Sequence, residues 1–204
     1  MECSCQHPGG LDFTEELLKG VTLRQGASVL DAGCGCGYTV KWLTEEGYQA
    51  FGIDKEPRIE GENITSGDMA DMPYPDETFD AVLSECTAFI SGNTAGFLKE
   101  CSRVLKPGGY VLLSDVYFHE DRPVPRFQDH RPTIPAEWKK LLQEAGLTLI
   151  NTEDKTEAWK PYVLRQLWNG KTLDDLWGGP KGELEPHVEH YRLGYFLLRA
   201  QKGV

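Results

Sequence analysis

The chain has 204 residues and a formal net charge of −11. That length suits one well-buried core and is short for two ordinary domains, so a single domain over 1–204 is expected. The acidic balance argues against nucleic acid as a partner, because such binding draws most of its affinity from basic groups on phosphates. No apolar run approaches membrane-spanning length, and the polar start, Met1 to His7, does not read as a signal peptide, so the expected location is the cytoplasm. Six cysteines (Cys3, Cys5, Cys34, Cys36, Cys86 and Cys101) are expected to be reduced thiols, and their C-x-C spacings do not match common zinc knuckles.

Residues 1–10 read as a flexible arm hinged at His7-Pro8-Gly9-Gly10, and Leu11 to Gly20 as a short amphipathic helix. Gly26 to Asp31 is a first strand. It runs into Gly33, Gly35 and Gly37 at alternate positions and then a helix, Tyr38 to Glu46. Glycines there let bare backbone approach a ligand, and the free N–H groups of a new helix favour an anionic group. Gln49 to Asp54 is a second strand, its terminal Asp54 placed to accept from ribose hydroxyls. Strands alternating with helices imply right-handed crossovers and a mainly parallel sheet.

Only Lys55 to Glu62, interrupted by Pro57 and Gly61, separates this strand from the next, so a short turn or loop is expected there. Asn63 to Met69 forms a third strand ending in Gly67-Asp68. Phe79 to Ser84 is the fourth, and Thr94 to Leu105 a helix stopped by Lys106-Pro107-Gly108-Gly109. Tyr110 to Val116 is the fifth strand. Tyr117 to Thr133 follows as a long loop whose Arg122, Arg126 and Arg131 are read as solvated or as capturing a carboxylate. Pro135 to Ala145 is a helix and Leu147 to Asn151 a sixth strand. Glu153 to Trp168 reads as a helix with an aromatic stripe, part of a helical insertion or lid over 153–178 that includes a further turn at Thr172 to Trp177. Tyr191 to Ala200 closes the sheet.

Four segments stand in order: Val29-Leu30-Asp31-Ala32-Gly33-Cys34-Gly35-Cys36-Gly37, Asn63 to Met69, Pro73 to Leu83, and Arg103 to Leu113. Together they resemble the class I S-adenosylmethionine (SAM) methyltransferases, in particular the small-molecule branch of type 11 and menaquinone-methyltransferase-like members. The resemblance runs from about Gly26 to Asp115. It implies an α/β, Rossmann-like fold with a seven-stranded, mostly parallel sheet, an antiparallel last strand beside the fifth, helices on both faces, and a shortened helix between strands two and three. It also implies SAM as cofactor, a small-molecule acceptor as substrate, and a monomer or homodimer.

Carried over residue by residue, the resemblance places Asp31 and the backbone of Gly33, Cys34, Gly35 and Gly37 at the methionyl end of the cofactor. Asp54, with Lys55 beside it, meets the ribose; Asp68 and Met69 border the adenine; Glu85 and Cys86 line the cleft. Asp115, Tyr117 and His119 follow the fifth strand on the carboxyl edge and are the candidate catalytic residues for polarising or deprotonating an acceptor. His7 on the arm and His130 are weaker candidates for the base. His187 and His190 have helical ligand spacing but no third partner, so no metal is expected. The rivals are a non-catalytic, thiol-bearing SAM-binding regulatory or partner subunit, a thiol or metalloid methyltransferase, and an NAD-dependent oxidoreductase. The last is disfavoured by the G-x-G-x-G turn.

Overall fold

A computed structural model describes residues 7–59, 61–127, 129, 131–172 and 191–204. Cys3, Cys5, His130, His187, His190 and the turn expected to end at Trp177 lie outside the described residues. In chain order the elements are α1 (Leu11–Lys19), β1 (Ser28–Ala32), α2 (Tyr38–Glu45), β2 (Gln49–Asp54), β3 (Ile64–Ser66), β4 (Phe79–Glu85), α3 (Thr94–Val104), β5 (Leu105–Phe118), α4 (Pro135–Glu144), β6 (Leu147–Asp154), α5 (Thr156–Trp168) and β7 (Leu193–Lys202).

The seven strands lie in the order β3-β2-β1-β4-β5-β7-β6, parallel except where β7 pairs antiparallel with β5 and β6. Adjacent residues on the central strands feed opposite faces, as the two-residue pleat requires. Val29, Ala81, Leu112 and Leu197 pack with Leu17, Val40 and Leu43 of α1 and α2. Leu30, Val82, Leu113 and Leu198 pack with Phe97, Trp138 and Trp159 of α3, α4 and α5. Burial on both faces explains why these strands read as continuous apolar runs rather than alternating ones.

Several expected boundaries move. The Lys106–Gly109 segment is not a free turn but the irregular start of β5. Leu105 already pairs with Phe79, and the register then jumps to Ala81 opposite Tyr110. At the other end β5 runs through Phe118, because β7 pairs with it as far as Leu193. Strand β6 continues to Asp154 opposite Phe196, so the following helix starts at Thr156 rather than Glu153. The loop after β5 is not a solvated stretch throughout. Arg131 is buried, ion-paired with Asp129, and stacked over Phe127 (4.6 Å) and Phe89 (5.2 Å).

The short crossover after β2 forms no helix among its described residues, and Arg58 N–H donates to the Gly35 carbonyl at 2.8 Å, fastening it to the glycine turn. Arg199 of β7, 2% exposed, donates to the carbonyls of Leu17 (Nε, 3.1 Å) and Glu16 (Nη2, 2.7 Å). Both carbonyls lie in the last turn of α1, where Glu16 also accepts from the Gly20 N–H at 3.2 Å, so a buried charge docks the first helix onto the sheet.

Candidate functional site

In the strand order, β1 and β4 are the neighbours whose connections leave in opposite directions, and open α/β sheets bind ligands outside the carboxyl ends at such a point. A cleft of about 320 Å³ opens there, lined by the turn after β1, by Asp54, by the β4–α3 turn and by α5.

The glycine turn is shaped by backbone alone. Gly33, Gly35 and Gly37 have φ of 88°, 52° and 68°. A Cβ on Gly33 would come within 2.5 Å of Thr87 Cγ2, so this glycine lets the β1 and β4 turns touch. A Cβ on Gly35 would meet nothing within 4 Å; the space beside that residue is open to a ligand. Gly35 N–H donates to Asp54 Oδ2 and Glu56 N–H to Asp54 Oδ1, both at 2.9 Å, which fixes the Asp54 carboxylate at the cleft wall. Cys34 fills the groove left by Gly52, and burial, then Asp31 and Asp54, push its thiol up to about 12. It is a packing residue with an unreactive thiol.

The floor is acidic. Asp31, Glu85 and Asp115 line it alongside Asp54 on the wall. Asp31 is pushed up to about 8, first by burial and then by the Glu85 charge, against the lowering effect of His7. Asp115 is raised to about 7 by burial, opposed by the N–H groups that donate to it. Those of Phe89 and Val116 sit at 2.9 and 2.8 Å, so Asp115 ties β5 to the turn carrying Glu85, Cys86 and Thr87. Cys86 is held at φ 58°, a left-handed conformation that favours glycine, with Sγ 3.3 Å from Tyr195 Oη, which itself donates to Ser114 Oγ at 2.8 Å.

The structure thus brings together Asp31, Gly33, Cys34, Gly35, Asp54, Glu85, Cys86 and Asp115. Gly37 sits behind the lining as the left-handed cap of α2. Lys55, Asp68 and Met69 do not line the cleft. The three-residue β3 stops before Asp68, whose carboxylate pairs with Lys55 (3.2 Å) at 43% and 60% side-chain exposure, and Met69 packs in the core. Tyr117 and His119 do not line it either. The His119 ring lies 4.9 Å from that of Tyr117 and borders a separate pocket with Asp154, Lys155 and Arg192, while Tyr117 borders a third beside Trp138.

Cleft residues that sequence reasoning missed include Arg58, Thr87, Phe89, Tyr162 and Lys171; the stripe around Trp159 was the one signal for the α5 wall. Cys36 is disulfide-bonded, not the reduced thiol expected. Among the described residues, no group of three His, Cys, Asp or Glu side chains is placed to hold a metal ion, and no helix is long and apolar enough to cross a membrane.

These features fit SAM: a turn of bare backbone beside open space, a fixed carboxylate at the end of β2, and an acidic floor for a cationic ligand. The methyltransferase-domain family model matches residues 30–113. Over 161 residues, 73% of its length, the chain is 31% identical to the uncharacterised methyltransferase YodH of Bacillus subtilis. The domain match and this relative support a class I SAM-dependent methyltransferase. Over 87% of its length it is 27% identical to phosphoethanolamine N-methyltransferase 1 of Arabidopsis thaliana. The chain spans 64% and 43% of the lengths of these two relatives.

Among solved structures, phosphoethanolamine N-methyltransferase 2 of Haemonchus contortus with bound SAM superposes with a TM-score of 0.72 at 19% identity, covering 97% of this chain and 54% of that one. The [4+2]-cyclase SpnF also gives 0.72, at 21% identity, covering 95% and 80%. Likeness at these identities establishes the fold and leaves the chemistry to the site.

Proposed function

We propose that this methyltransferase passes the methyl group of SAM to a small molecule held between the β4–α3 turn and α5. The observation that carries this reading is the division of one cleft. Its β1–β2 side is bare backbone plus the fixed Asp54 carboxylate, and its other side is apolar and aromatic, built from Phe89, Ile90, Val116, Trp159 and Tyr162. SAM would supply an electrophilic methyl on a sulfonium, so the chain's task is to orient an acceptor and exclude water. Orientation alone can lower such a barrier by roughly 7–11 kcal/mol.

Asp54 and Gly35 would hold the ribose and the adjoining backbone-facing part of the cofactor, and Asp31 and Glu85 its cationic end. Asp115 acts as a positioning residue: its carboxylate orders the turn that presents Cys86 and Thr87. Trp159, stacked on Tyr195 with ring centroids 5.9 Å apart, and Tyr162 make α5 the cover of the acceptor side. The pocket around His119 stands apart from this cleft, so no proton step is assigned to that residue.

The test is incubation with methyl-labelled SAM and a mixture of low-molecular-weight amines, alcohols, thiols and carboxylic acids. Labelled small-molecule product supports the reading. Tight S-adenosylhomocysteine binding with no product from any class would favour a SAM-binding subunit without turnover.

A further inference from the structure

The floor of the cleft carries a carboxylate that the fold satisfies on one oxygen only. Glu85, the last residue of β4, has a side chain 4% exposed. Its Oε2 accepts from Thr14 Oγ1 at 2.9 Å and faces His7 Nε2 at 3.3 Å. His7 Nδ1 lies 3.2 Å from the Pro8 carbonyl, which can only accept. One ring nitrogen thus faces the Glu85 carboxylate and the other the Pro8 carbonyl. Oε1 is buried, and among the described residues no group donates to it. A buried carboxylate oxygen without a donor is costly, so a fold keeps one where a ligand supplies the donor.

The surroundings select the donor. Asp31, Asp54 and Asp115 line the same cleft, and Asp31 is near enough for the Glu85 charge to oppose its ionisation. An incoming carboxylate or phosphate would be repelled by this acidic cluster, and a neutral hydroxyl could donate to Oε1 but would not offset the negative charge gathered there. A compact cation bearing N–H groups supplies both donor and charge. The cleft's own Arg58 and Lys171 are exposed residues at its lining, not the partners of the buried Glu85 carboxylate.

We propose that Glu85, clamped through Oε2 by Thr14 and His7, is an ammonium-binding site whose Oε1 receives an N–H of a ligand's primary or secondary ammonium group. The site rests on the methyltransferase reading, which offers two sources for that group: the α-ammonium of the cofactor's amino-acid tail, or an amine acceptor. Its clamp reaches outside the family-matched residues 30–113, since His7 and Thr14 lie upstream of them. Glu85 and Thr14 are 71 residues apart in sequence, so no local motif announces the site.

The experiment compares two matched ligand pairs by calorimetry at neutral pH. One pair is S-adenosylhomocysteine and its deamino analogue. The other is phenethylamine and 2-phenylethanol, titrated into protein saturated with S-adenosylhomocysteine. Wild type is expected to favour the ammonium-bearing member of at least one pair by about tenfold or more, and Glu85→Gln to shrink that ratio to within about threefold without weakening the neutral member. Thr14→Val, which removes one clamp hydrogen bond at small steric cost, is expected to shrink it part of the way; it serves as the second variant should Glu85→Gln fold poorly.

Discrimination in the first pair assigns the site to the cofactor tail, and in the second to the acceptor. No discrimination in either pair, or discrimination that survives Glu85→Gln, overturns the ammonium site. Failure of both adenosyl ligands to bind wild type would instead remove the methyltransferase reading on which the site rests.

Discussion

Replacing Asp31 by Asn should make the cofactor-free protein more stable, and by an amount that grows with pH. Asp31 ionises near pH 8 in the folded chain against an ordinary value of 3.8, chiefly because β1 buries it. Its folded-state affinity for the proton is therefore raised. Between the two values the folded state keeps a proton that the unfolded state has lost, so stability falls as pH rises. For one proton the slope is about 1.4 kcal/mol per pH unit, or roughly 3 kcal/mol between about pH 5 and pH 7.

An Asn amide of nearly the same shape stays neutral in both states and contributes no slope. Asp115, raised to about 7, adds a similar slope to both proteins and cancels in the comparison. Urea unfolding of wild type and Asp31→Asn at several pH values across that window gives the stability difference directly. It should widen in favour of the variant by about 1.4 kcal/mol per unit. A difference that stays constant within about 0.5 kcal/mol over the window would show that Asp31 is ionised in the folded protein, and the reasoning from burial would fail.

Cofactor binding should be linked to the same proton. A cationic ligand favours ionised Asp31, so SAM affinity should rise by up to about tenfold per pH unit and level off above about pH 8, with nearly one proton released at pH 7; equal calorimetric enthalpies in buffers of different ionisation heat would contradict this. Asp54→Ala removes the acceptor that holds Gly35 N–H and should weaken S-adenosylhomocysteine by more than about tenfold while the circular dichroism spectrum is kept. Gly35→Ala meets no protein atom but places a Cβ in the open space at φ 52°, so a stability loss of about 1–2 kcal/mol should accompany a much larger loss of binding. Retained affinity would mean that the ligand lies elsewhere. Asp115→Asn can accept only one of the N–H groups of Phe89 and Val116 and should cost about 1–3 kcal/mol, read as a lowered urea midpoint near pH 4, with the loss offset as pH rises towards 7 because the buried carboxyl, raised to about 7, is no longer there to titrate.

What was legible in the sequence was what is local in it. The strand, the glycine turn, α2 and Asp54 occupy 27 consecutive positions, Ser28 to Asp54, and their chemistry follows from glycine's freedom and from the pleat. The second and third strands and the missing crossover helix were readable for the same reason. The residues of the acceptor side were not, because Thr87 lies about 70 positions before Trp159 and Tyr162 and they share the cleft only through the packing of α5 over the sheet, which no local pattern fixes.

Placing Tyr117 and His119 at the site assumed a strand ending at Val116. With β5 extended to Phe118, both residues follow it away from the cleft, and His119 N–H is tied to the Arg192 carbonyl at 2.8 Å. The adenine border at Lys55, Asp68 and Met69 was expected by resemblance, and the short β3 turns those residues to one another or into the core.

The most direct test of methyl transfer to a small molecule is to incubate the protein with methyl-labelled SAM and a deproteinised, nuclease-treated metabolite extract, then separate small molecules from macromolecules by ultrafiltration. The expected result is one labelled compound in the filtrate, formed by wild type and lost with Asp54→Ala. Label confined to protein or nucleic acid when these are supplied instead, or no transfer by a protein that binds S-adenosylhomocysteine, would contradict it.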